Sequence, residues 1–304
     1  MKTYLALLVI MVCLAILYPI QKIIDASHPE EERVQQFLYV SSPKSVKQFS
    51  FGFDGALADL YWLRAVQYYG RQLLNDRNEV TFAQKVDQKL LYPMLDITTT
   101  LDPQYIQAYR FGGLFLPDYD TKLALDLLYK GIKENPNNWR LHQSLGTIYW
   151  QSKDYKKAGE AFLKAGDIPK SPKWLKIIGG VMLSQGGSRA TACQLYAALY
   201  QEATDDFAKG QMEIQLKRVY ALNEVDYLNS LLARYKQATN KCPQTLSVLT
   251  QTIQQTQEKG ECGEIIQIKV NEKGELSSIL GDKFYYDPAS CKVSMPYRIF
   301  DPLK

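Results

Sequence analysis

Residue types that commonly carry catalysis or bind metals are scarce in this chain of 304 residues, which has two histidines, His28 and His142, and five cysteines. The sequence contains no zinc-protease helix motif, Cys-x-x-Cys pair, phosphate loop, glycine-rich dinucleotide turn or Gly-x-Ser-x-Gly elbow. His142 falls in a helical stretch, where a packed side chain is the simpler interpretation. The sequence therefore predicts no catalytic residue, no metal site and no cofactor, and it offers no positive support for an enzyme.

The cysteines could form disulfides instead. Cys242, Cys262 and Cys291 cluster towards the C-terminus, Cys13 lies in an apolar run, and Cys193 is interpreted as a small apolar residue of a helix. If the C-terminal part lies outside the cytosol, we expect one disulfide among the three clustered residues. Cys262 and Cys291 flank a strand-like segment, and Cys242 competes as a partner for either. Three free thiols are the alternative.

The formal net charge of +4 is mild, and no run of Lys and Arg interleaved with aromatic residues occurs. Nucleic acid is therefore not an expected partner. The length is enough for a chain that buries its own core and could hold two domains.

The segment from Tyr4 to Ile20 is an uninterrupted apolar run between Lys2 and Lys22. Its length is near the shortest that crosses a bilayer, about 17 residues, so we expect a retained single-pass anchor. One alternative is a cleaved signal peptide, although no clear small-x-small site follows the run. Another is a lipoprotein anchor at Cys13, although Val12 precedes it. The charge bias across the run is weak, and we expect the bulk of the chain outside the cytosol.

Two consecutive blocks of 34 residues, beginning at Tyr105 and at Trp139, carry matching landmarks, and a third block follows from Lys173. The first half of each block has Gly near a large apolar or aromatic residue, and the second half has Ala followed four residues later by another large residue. This is the period and pattern of tetratricopeptide (TPR) repeats, which are antiparallel helical hairpins with small residues where the helices cross. The predicted repeat-packing residues are Gly112, Ala124, Gly146, Tyr149, Ala158, Phe162, Gly180 and Ala192.

These patterns indicate a mainly α fold, a TPR-like α-solenoid with an N-terminal transmembrane helix and a small α+β C-terminal appendage. The appendage is predicted from two strand-like hairpins, EIIQIKV with ELSSIL and KFYYD with CKVSM. The predicted organisation is a transmembrane anchor at 1–24, a juxtamembrane linker at 25–44, the helical repeats at 45–240 and the α+β module at 241–304.

Three further helical elements are predicted within the repeat region. Residues 53–74 are apolar almost all round, which predicts a helix buried on most faces. Its only charges within GALADLYWLRAVQYYG, Asp59 and Arg64, make surface or helix-end contacts or, alternatively, a buried pair. Phe82 to Leu101 is predicted as its antiparallel partner. A fourth hairpin, Asp206–Leu222 with Glu224–Ala238, is predicted to end the repeats.

Residues 1–240 of the chain resemble a family of bacterial membrane-anchored TPR proteins. The likeness is carried by Leu38-Tyr39, by SFGFDGALADLYWLRAVQYYG and by LYPMLDITTTLDPQYIQAYRFGG. The resemblance implies a bacterial cell (inner) membrane protein with a single span and its soluble part on the periplasmic side. It implies no enzymatic activity.

In TPR proteins the first helix of each hairpin lines an inner groove, which suits a helix or an extended peptide. The resemblance implies a partner-binding groove formed by Tyr109, Leu116, Arg140, Gln143, Thr147, Trp150, Gln151, Trp174 and Ile177. It lacks the Lys and Asn set that clamps a terminal carboxylate in chaperone-binding repeats. The alternative is that Trp150 and Trp174 belong to the core between repeats.

Two classes of function fit these predictions. The first is a non-catalytic, membrane-tethered scaffold that binds protein or peptide partners in assembly of an envelope complex. The second is a constitutive subunit of a larger, hetero-oligomeric membrane complex, with the anchor and the apolar first helix as its contact surface.

Overall fold

The computed structural model describes residues 19, 22, 42–72, 89–255 and 257–295. The described chain is mainly helical with a few short strands, as predicted. The predicted anchor and most of the predicted linker lie outside these residues. Across the described part, no helix combines the length and the apolar character that a membrane crossing requires.

The chain divides into two compact units at Gly112 and Gly113, and each is described by itself. The predicted domain boundaries stay predictions. From residue 42 onward, the described residues of the first unit form α1 (Pro43–Gln48), α2 (Asp54–Gln72), α3 (Leu91–Leu101) and most of α4 (Ile106–Phe115).

Helix α3 forms the centre of the first unit, and both α1 and α2 pack against it. It is buried on most of its surface, including Thr98 and Thr99. These two threonines can be buried because their hydroxyls donate to backbone carbonyls one turn earlier, at 2.9 Å each. The helix ends before Asp102-Pro103, since the residue before a proline avoids the helical region. It begins at Leu91 after a turn at Lys89 and Leu90, and residues 82–88 of the predicted helix lie outside the described residues.

Helix α2 differs from its prediction of burial on most faces. Ala58, Tyr61 and Ala65 are buried, but Leu60 and Leu63 on the opposite side are 41 % and 55 % exposed. The prediction is therefore wrong for this side of the helix, because an apolar sequence does not itself supply a neighbouring segment.

Asp59 and Arg64 of α2 each contact a tyrosine. Asp59 is exposed and accepts a hydrogen bond from the Tyr105 hydroxyl at 3.0 Å. Burial and the Asp59 carboxylate together raise the pKa of Tyr105 to about 12. The Arg64 guanidinium lies 5.9 Å from the centre of the Tyr61 ring. Asp59 therefore follows the surface-contact interpretation rather than the buried pair.

The second unit continues as a series of helices in which each packs against the next. Their connections are short, so consecutive helices run antiparallel. Four of these helices have an N-cap side chain that accepts hydrogen bonds from backbone N–H groups of the first turn. The N-cap residues are Asp120, Asn138, Asp154 and Asp205. The helices are α5 (Thr121–Glu134), α6 (Trp139–Gln151), α7 (Tyr155–Asp167), α8 (Trp174–Gln185), α9 (Arg189–Glu202) and α10 (Asp206–Thr239).

Within each hairpin, a glycine on the first helix faces a large side chain on the second. A Cβ placed on Gly146 would lie 3.0 Å from the Phe162 ring, and one on Gly180 would lie 2.6 Å from the Tyr196 ring. These two pairs repeat with the predicted period. In the block before them, a Cβ on Gly113 would lie 3.1 Å from Leu128, so a glycine one residue after the predicted Gly112 faces the large side chain there.

Two glycines lie where neighbouring hairpins meet. A Cβ on Gly159 of α7 would lie 2.7 Å from Leu183 and 2.9 Å from the carbonyl oxygen of Gly179 in α8. A Cβ on Gly179 would in turn lie 2.8 Å from Leu163. Both glycines therefore permit a near backbone contact between α7 and α8. Gly159 was not among the predicted packing residues.

Helix α10 runs unbroken from Asp206 to Thr239, so the predicted fourth hairpin is wrong. The segment between its two predicted helices has no proline or glycine, and Asn223 continues the helix while its side chain bonds other segments. The helix stops at Asn240, which adopts the left-handed conformation with φ 54°.

The C-terminal module packs on the second half of α10. After a 3-10 turn (Leu246–Leu249) and helix α11 (Thr250–Gln255), it forms two antiparallel hairpins. These pair β1 (Lys269–Val270) with β2 (Leu276–Ser277), and β3 (Tyr285–Asp287) with β4 (Lys292–Ser294). Leu249, Leu276 and Val293 form one core with four residues of α10, namely Tyr227, Leu228, Leu231 and Leu232.

Of two disulfides in this part of the chain, one joins the module to a helix and the other lies within the module. Cys193 of α9 pairs with Cys262 at a Cα separation of 5.9 Å, and Cys242 pairs with Cys291 at 5.5 Å. The Cys242–Cys291 bond is one of the three pairings that the sequence left open, and Cys262 pairs outside the predicted cluster. Cys193 is buried in a helix as predicted, but it is disulfide-bonded and is not only an apolar packing residue. The segment around Cys262 folds back over the start of α9, and that proximity cannot be inferred from sequence spacing.

Candidate partner-binding surface

Helix α6 carries the best-formed part of the predicted groove. Arg140, Gln143, Thr147 and Gln151 follow one another at helical spacing, and none of them is buried. We call these four residues the α6 stripe. The opposite side of the helix is apolar and buried, at Leu141, Leu145 and Ile148 among others. Packing of that side against the hairpin core therefore fixes the direction in which the α6 stripe points.

Local hydrogen bonds hold the stripe in place. The Asn138 side chain accepts from the Arg140 backbone N–H at 3.1 Å and so caps the helix. The Thr147 hydroxyl donates to the carbonyl oxygen of Gln143 at 3.1 Å, which satisfies it within the helix. The side-chain amides of Gln143 and Gln151 are the stripe's further donors and acceptors.

Arg140 is the only charge in the stripe and is held by an aromatic ring. Its guanidinium lies 4.4 Å from the centre of the Trp139 ring, within the range of a cation–π contact. Across the part of the chain that the structure describes, no carboxylate forms an ion pair with Arg140. Stacking leaves the edge of the guanidinium, where its N–H donors point, open to an acceptor.

The aromatic and aliphatic groove residues divide between surface and core. Trp174, at the start of α8, is 42 % exposed. Trp150 is half-buried against a core that includes Ala158 and Phe162. Ile177 packs against the neighbouring core, and its carbonyl oxygen accepts a hydrogen bond from the Tyr196 hydroxyl at 3.0 Å. Trp150 and Ile177 therefore also pack in the core, and for Trp150 this agrees with the alternative that it belongs to the core between repeats. Trp174 has a larger part of its side chain exposed to solvent.

Two predicted groove residues are in the core. Tyr109 in the first unit and Leu116 in the second are completely buried, so neither can line an accessible groove in this structure. The α8 positions one repeat after Thr147 and Trp150 are Val181 and Ser184, and both are buried. The exposed stripe is therefore a feature of α6 and is not repeated along α8.

The predicted packing residues are buried or half-buried. Tyr149 is half-buried and shares a hydrogen bond with the Tyr129 hydroxyl, with 2.6 Å between the oxygens. Burial is the larger cause that raises the pKa of Tyr149, and that hydrogen bond is the second.

His142 is 4 % exposed, with Nε2 3.4 Å from the carbonyl oxygen of Pro136, and burial lowers its pKa. His142 is therefore a packed helix residue.

A second polar cluster was missed by the sequence analysis. Asn223 of α10 donates to Glu264 at 2.6 Å and accepts from Arg189 at 3.2 Å, and Arg189 also forms an ion pair with Asp226. Glu264 additionally accepts from the Cys262 backbone N–H at 3.1 Å. We call these residues, together with Glu224, the junction cluster. It links α9, α10 and the C-terminal module beside the Cys193–Cys262 disulfide.

Glu224 is the most buried acid of the junction cluster, at 1 % exposure. The backbone N–H of Ile279 donates to both of its carboxylate oxygens, at 3.2 and 3.1 Å. Burial raises the pKa of Glu224 to about 7, the Ile279 hydrogen bond opposes that rise, and the negative charge of Glu264 adds to it. The available sequence signal was the polar pair Asn223-Glu224 within an otherwise apolar helix face.

Within the described residues, no group of three or more His, Cys, Asp or Glu side chains is arranged to hold a metal ion. Comparison of the chain with protein-family models, with curated proteins and with solved structures finds no match. The function is therefore argued from the surfaces of this chain.

Proposed function

We propose that this chain is a non-catalytic, membrane-tethered TPR-like scaffold that binds a protein or peptide partner through the α6 stripe. The support for TPR-like hairpins is the recurrence of the Gly146–Phe162 contact as Gly180–Tyr196 one repeat later. A glycine opposite a ring lets two antiparallel helices approach closely, which is the packing that the repeat pattern requires.

The observation that carries the binding proposal is the combination of a stacked arginine with amide side chains on one helix face. The partner fits if it presents a carboxylate or backbone carbonyl to Arg140 and further peptide groups to Gln143 and Gln151. Trp174 supplies apolar area nearby in sequence and is partly exposed. Acceptor-rich extended segments or helices with an acidic residue are the matching chemistry.

The two disulfides support placement of the soluble part outside the cytosol. Disulfides persist in oxidising compartments such as the bacterial periplasm. The proposed location is the bacterial inner membrane, with the N-terminal apolar run as tether and the helical units on the periplasmic side. This location suits a scaffold in assembly of an envelope complex.

The test is a pull-down from detergent-solubilised native membranes with the full chain and two matched arginine variants. Arg140→Ala removes the stacked charge, and Arg234→Ala removes an exposed arginine of α10. We expect a partner that wild type and Arg234→Ala retain and that Arg140→Ala loses, with equal thermal stability of all three proteins. Equal retention by both variants would exclude the α6 stripe as the binding surface.

Trp150→Ala completes the test because Trp150 also packs against the core. If Trp150 contributes to partner binding, its loss weakens binding by more than the loss of stability explains. Parallel losses would assign Trp150 to the core alone.

A further inference from the structure

The turn between α1 and α2 exposes three phenylalanines within five residues. Phe49, Phe51 and Phe53 are 70 %, 84 % and 68 % exposed. A single exposed ring is common on protein surfaces, but a cluster of large apolar side chains marks an interaction site.

The structure of the turn holds these rings outward. Ser50, between the first two rings, is 5 % exposed, and its hydroxyl donates to the carbonyl oxygen of Lys47 at 2.8 Å. The carbonyl oxygen of Ser50 accepts from the Phe53 backbone N–H, also at 2.8 Å. The side chain and the carbonyl group of Ser50 are both hydrogen-bonded within the turn. The phenylalanines on either side of this buried residue face solvent.

Phe51 has a backbone conformation that a bulky residue rarely adopts, with φ 49°, and Gly52 follows at φ 86°. A bulky residue at positive φ is strained, and it persists where the surrounding structure enforces this conformation. The turn therefore tolerates local strain while presenting an apolar ring to solvent.

Helix α2 extends the apolar surface from Phe53. Leu60, Leu63 and Val66 follow on the side opposite the buried Ala58 and Ala65, and they are 41 %, 55 % and 37 % exposed. Spacing of three to four residues keeps these side chains on one side of the helix. The exposed apolar segment, as we call this set, comprises Phe49, Phe51, Phe53, Leu60, Leu63 and Val66.

We propose that the exposed apolar segment docks on the lipid bilayer and inserts its phenylalanines at the boundary between headgroups and acyl chains. The proposal rests on the membrane tether of the proposed function. Phenylalanine and leucine are the side chains that peripheral helices place at this depth.

The position in the chain favours a bilayer as the occupant. The apolar run of the predicted anchor ends at Ile20, and the described chain resumes at Ser42. About twenty intervening residues span at most roughly 70 Å when extended, so the turn stays within reach of the membrane surface. Tethering raises the effective concentration of the turn at that surface, so weak insertion is enough for docking.

The charge of the segment is also complementary to a bilayer with anionic lipids. Residues 43–72 contain four basic side chains and two acidic ones. Lys44 and Lys47 lie in α1, directly before the three rings. Basic residues beside an apolar insertion are attracted to anionic headgroups.

The test uses the full chain reconstituted into vesicles of phosphatidylcholine and phosphatidylglycerol. A photoreactive benzophenone side chain replaces Phe51 in one protein and Phe207 in a matched control, because Phe207 is 78 % exposed in the second unit. A third protein carries it at Leu7, within the predicted anchor, and reports on the tether. We expect lipid adducts at position 51 in several-fold higher yield than at position 207, and a lower yield without phosphatidylglycerol.

The three positions separate the possible failures. Lipid adducts at position 7 with none above the control at position 51 would overturn the docking proposal and leave the tether intact. Adducts from position 51 to a second copy or to another protein would overturn it in favour of a protein interface. An absence of lipid adducts at both positions would remove the tether and the docking together. A benzophenone at Phe49 repeats the measurement without altering the strained residue, and adducts at neither turn position overturn the proposal.

Discussion

Helices α2 and α10 each have an apolar side, and the two sides differ in whether another part of the chain packs against them. The side of α10 that carries Leu228 and Leu232 is covered by the C-terminal module, with Leu249, Leu276 and Val293 packed on it. The side of α2 that carries Leu63 is left exposed. The apolar character of a helix face therefore does not show whether the face is buried. Burial depends on whether another segment of the chain packs against it.

The largest expected effect comes from emptying the covered side of α10. Leu232 is completely buried, so Leu232→Ala should lower the free energy of unfolding by about 2–5 kcal/mol through lost burial and a cavity. The same truncation at Leu63, which is 55 % exposed, should change it by no more than about 0.5 kcal/mol. Denaturant titration of both variants measures the contrast. Similar losses in the two proteins would mean that the outer side of α2 is covered in solution.

The second effect concerns the disulfide that joins the start of the C-terminal module to its last hairpin. Cys242 and Cys291 are separated by 49 residues, and replacing both by Ser should cost about 2–4 kcal/mol, because the unfolded chain gains freedom. Thermal unfolding of the double variant and of wild type tests this, with no reducing agent present for either protein. Unchanged stability would show that the apolar contacts with α10 hold the module without the bond.

The third effect is a pH dependence at the junction cluster. The pKa of Glu224 is raised from 4.5 to about 7 in the fold, so the folded protein retains a proton that the unfolded chain has released. The stabilisation is present below about pH 4.5 and is lost as the pH rises through about 7. Glu224→Gln should flatten the decline in melting temperature between these values.

The matched control is Glu213→Gln, because Glu213 is an exposed acid of the same helix that pairs with Lys217. That variant should keep the wild-type decline. A pH profile that survives in Glu224→Gln would assign the titration to another group.

The smallest effects are expected for Gly→Ala substitutions at two positions. At one of them the added Cβ would meet neighbouring atoms, and at the other it would not. In α7, Gly159→Ala should destabilise the protein by about 1–3 kcal/mol, because the new Cβ meets Leu183 and a backbone oxygen. In the first turn of α2, nothing lies within 4 Å of a Cβ on Gly55. Gly55→Ala should therefore raise stability by up to about 0.5 kcal/mol through helix propensity. Melting curves of the two variants should shift in opposite directions, and a destabilised Gly55→Ala would reveal a covering segment on α2.

The repeat pattern predicted the hairpins through α9 because their packing rules are local. A small residue facing a large one at fixed spacing is visible in sequence, and Gly146 with Phe162 follows it. The one-residue offset at Gly113 was not visible, since either glycine of Gly112-Gly113 satisfies the pattern. Continuity of α10 was missed because weak landmarks were interpreted as a hairpin, although no residue between its halves breaks a helix.

The candidate surface was predicted only in part. None of the four residues of the α6 stripe is buried, whereas Tyr109, one repeat before Gln143, and Leu116, one repeat before Trp150, are completely buried. Exposure depends on which segments pack against each helix, and equivalent positions in successive repeats have different neighbours. The junction cluster depends on residues far apart in sequence, such as Asn223 and Glu264, and so left only a faint local signal.

The sequence by itself determined the mainly helical character and the glycine contacts within the hairpins from Trp139 onward, because both follow from residues within one repeat. It also marked three cysteines as candidates for disulfides. Only the tertiary structure decided the pairings Cys193–Cys262 and Cys242–Cys291, the cover on α10 and the exposure of α2. Each of these depends on which distant segments meet in space, and the spacing of residues along the chain does not contain that information.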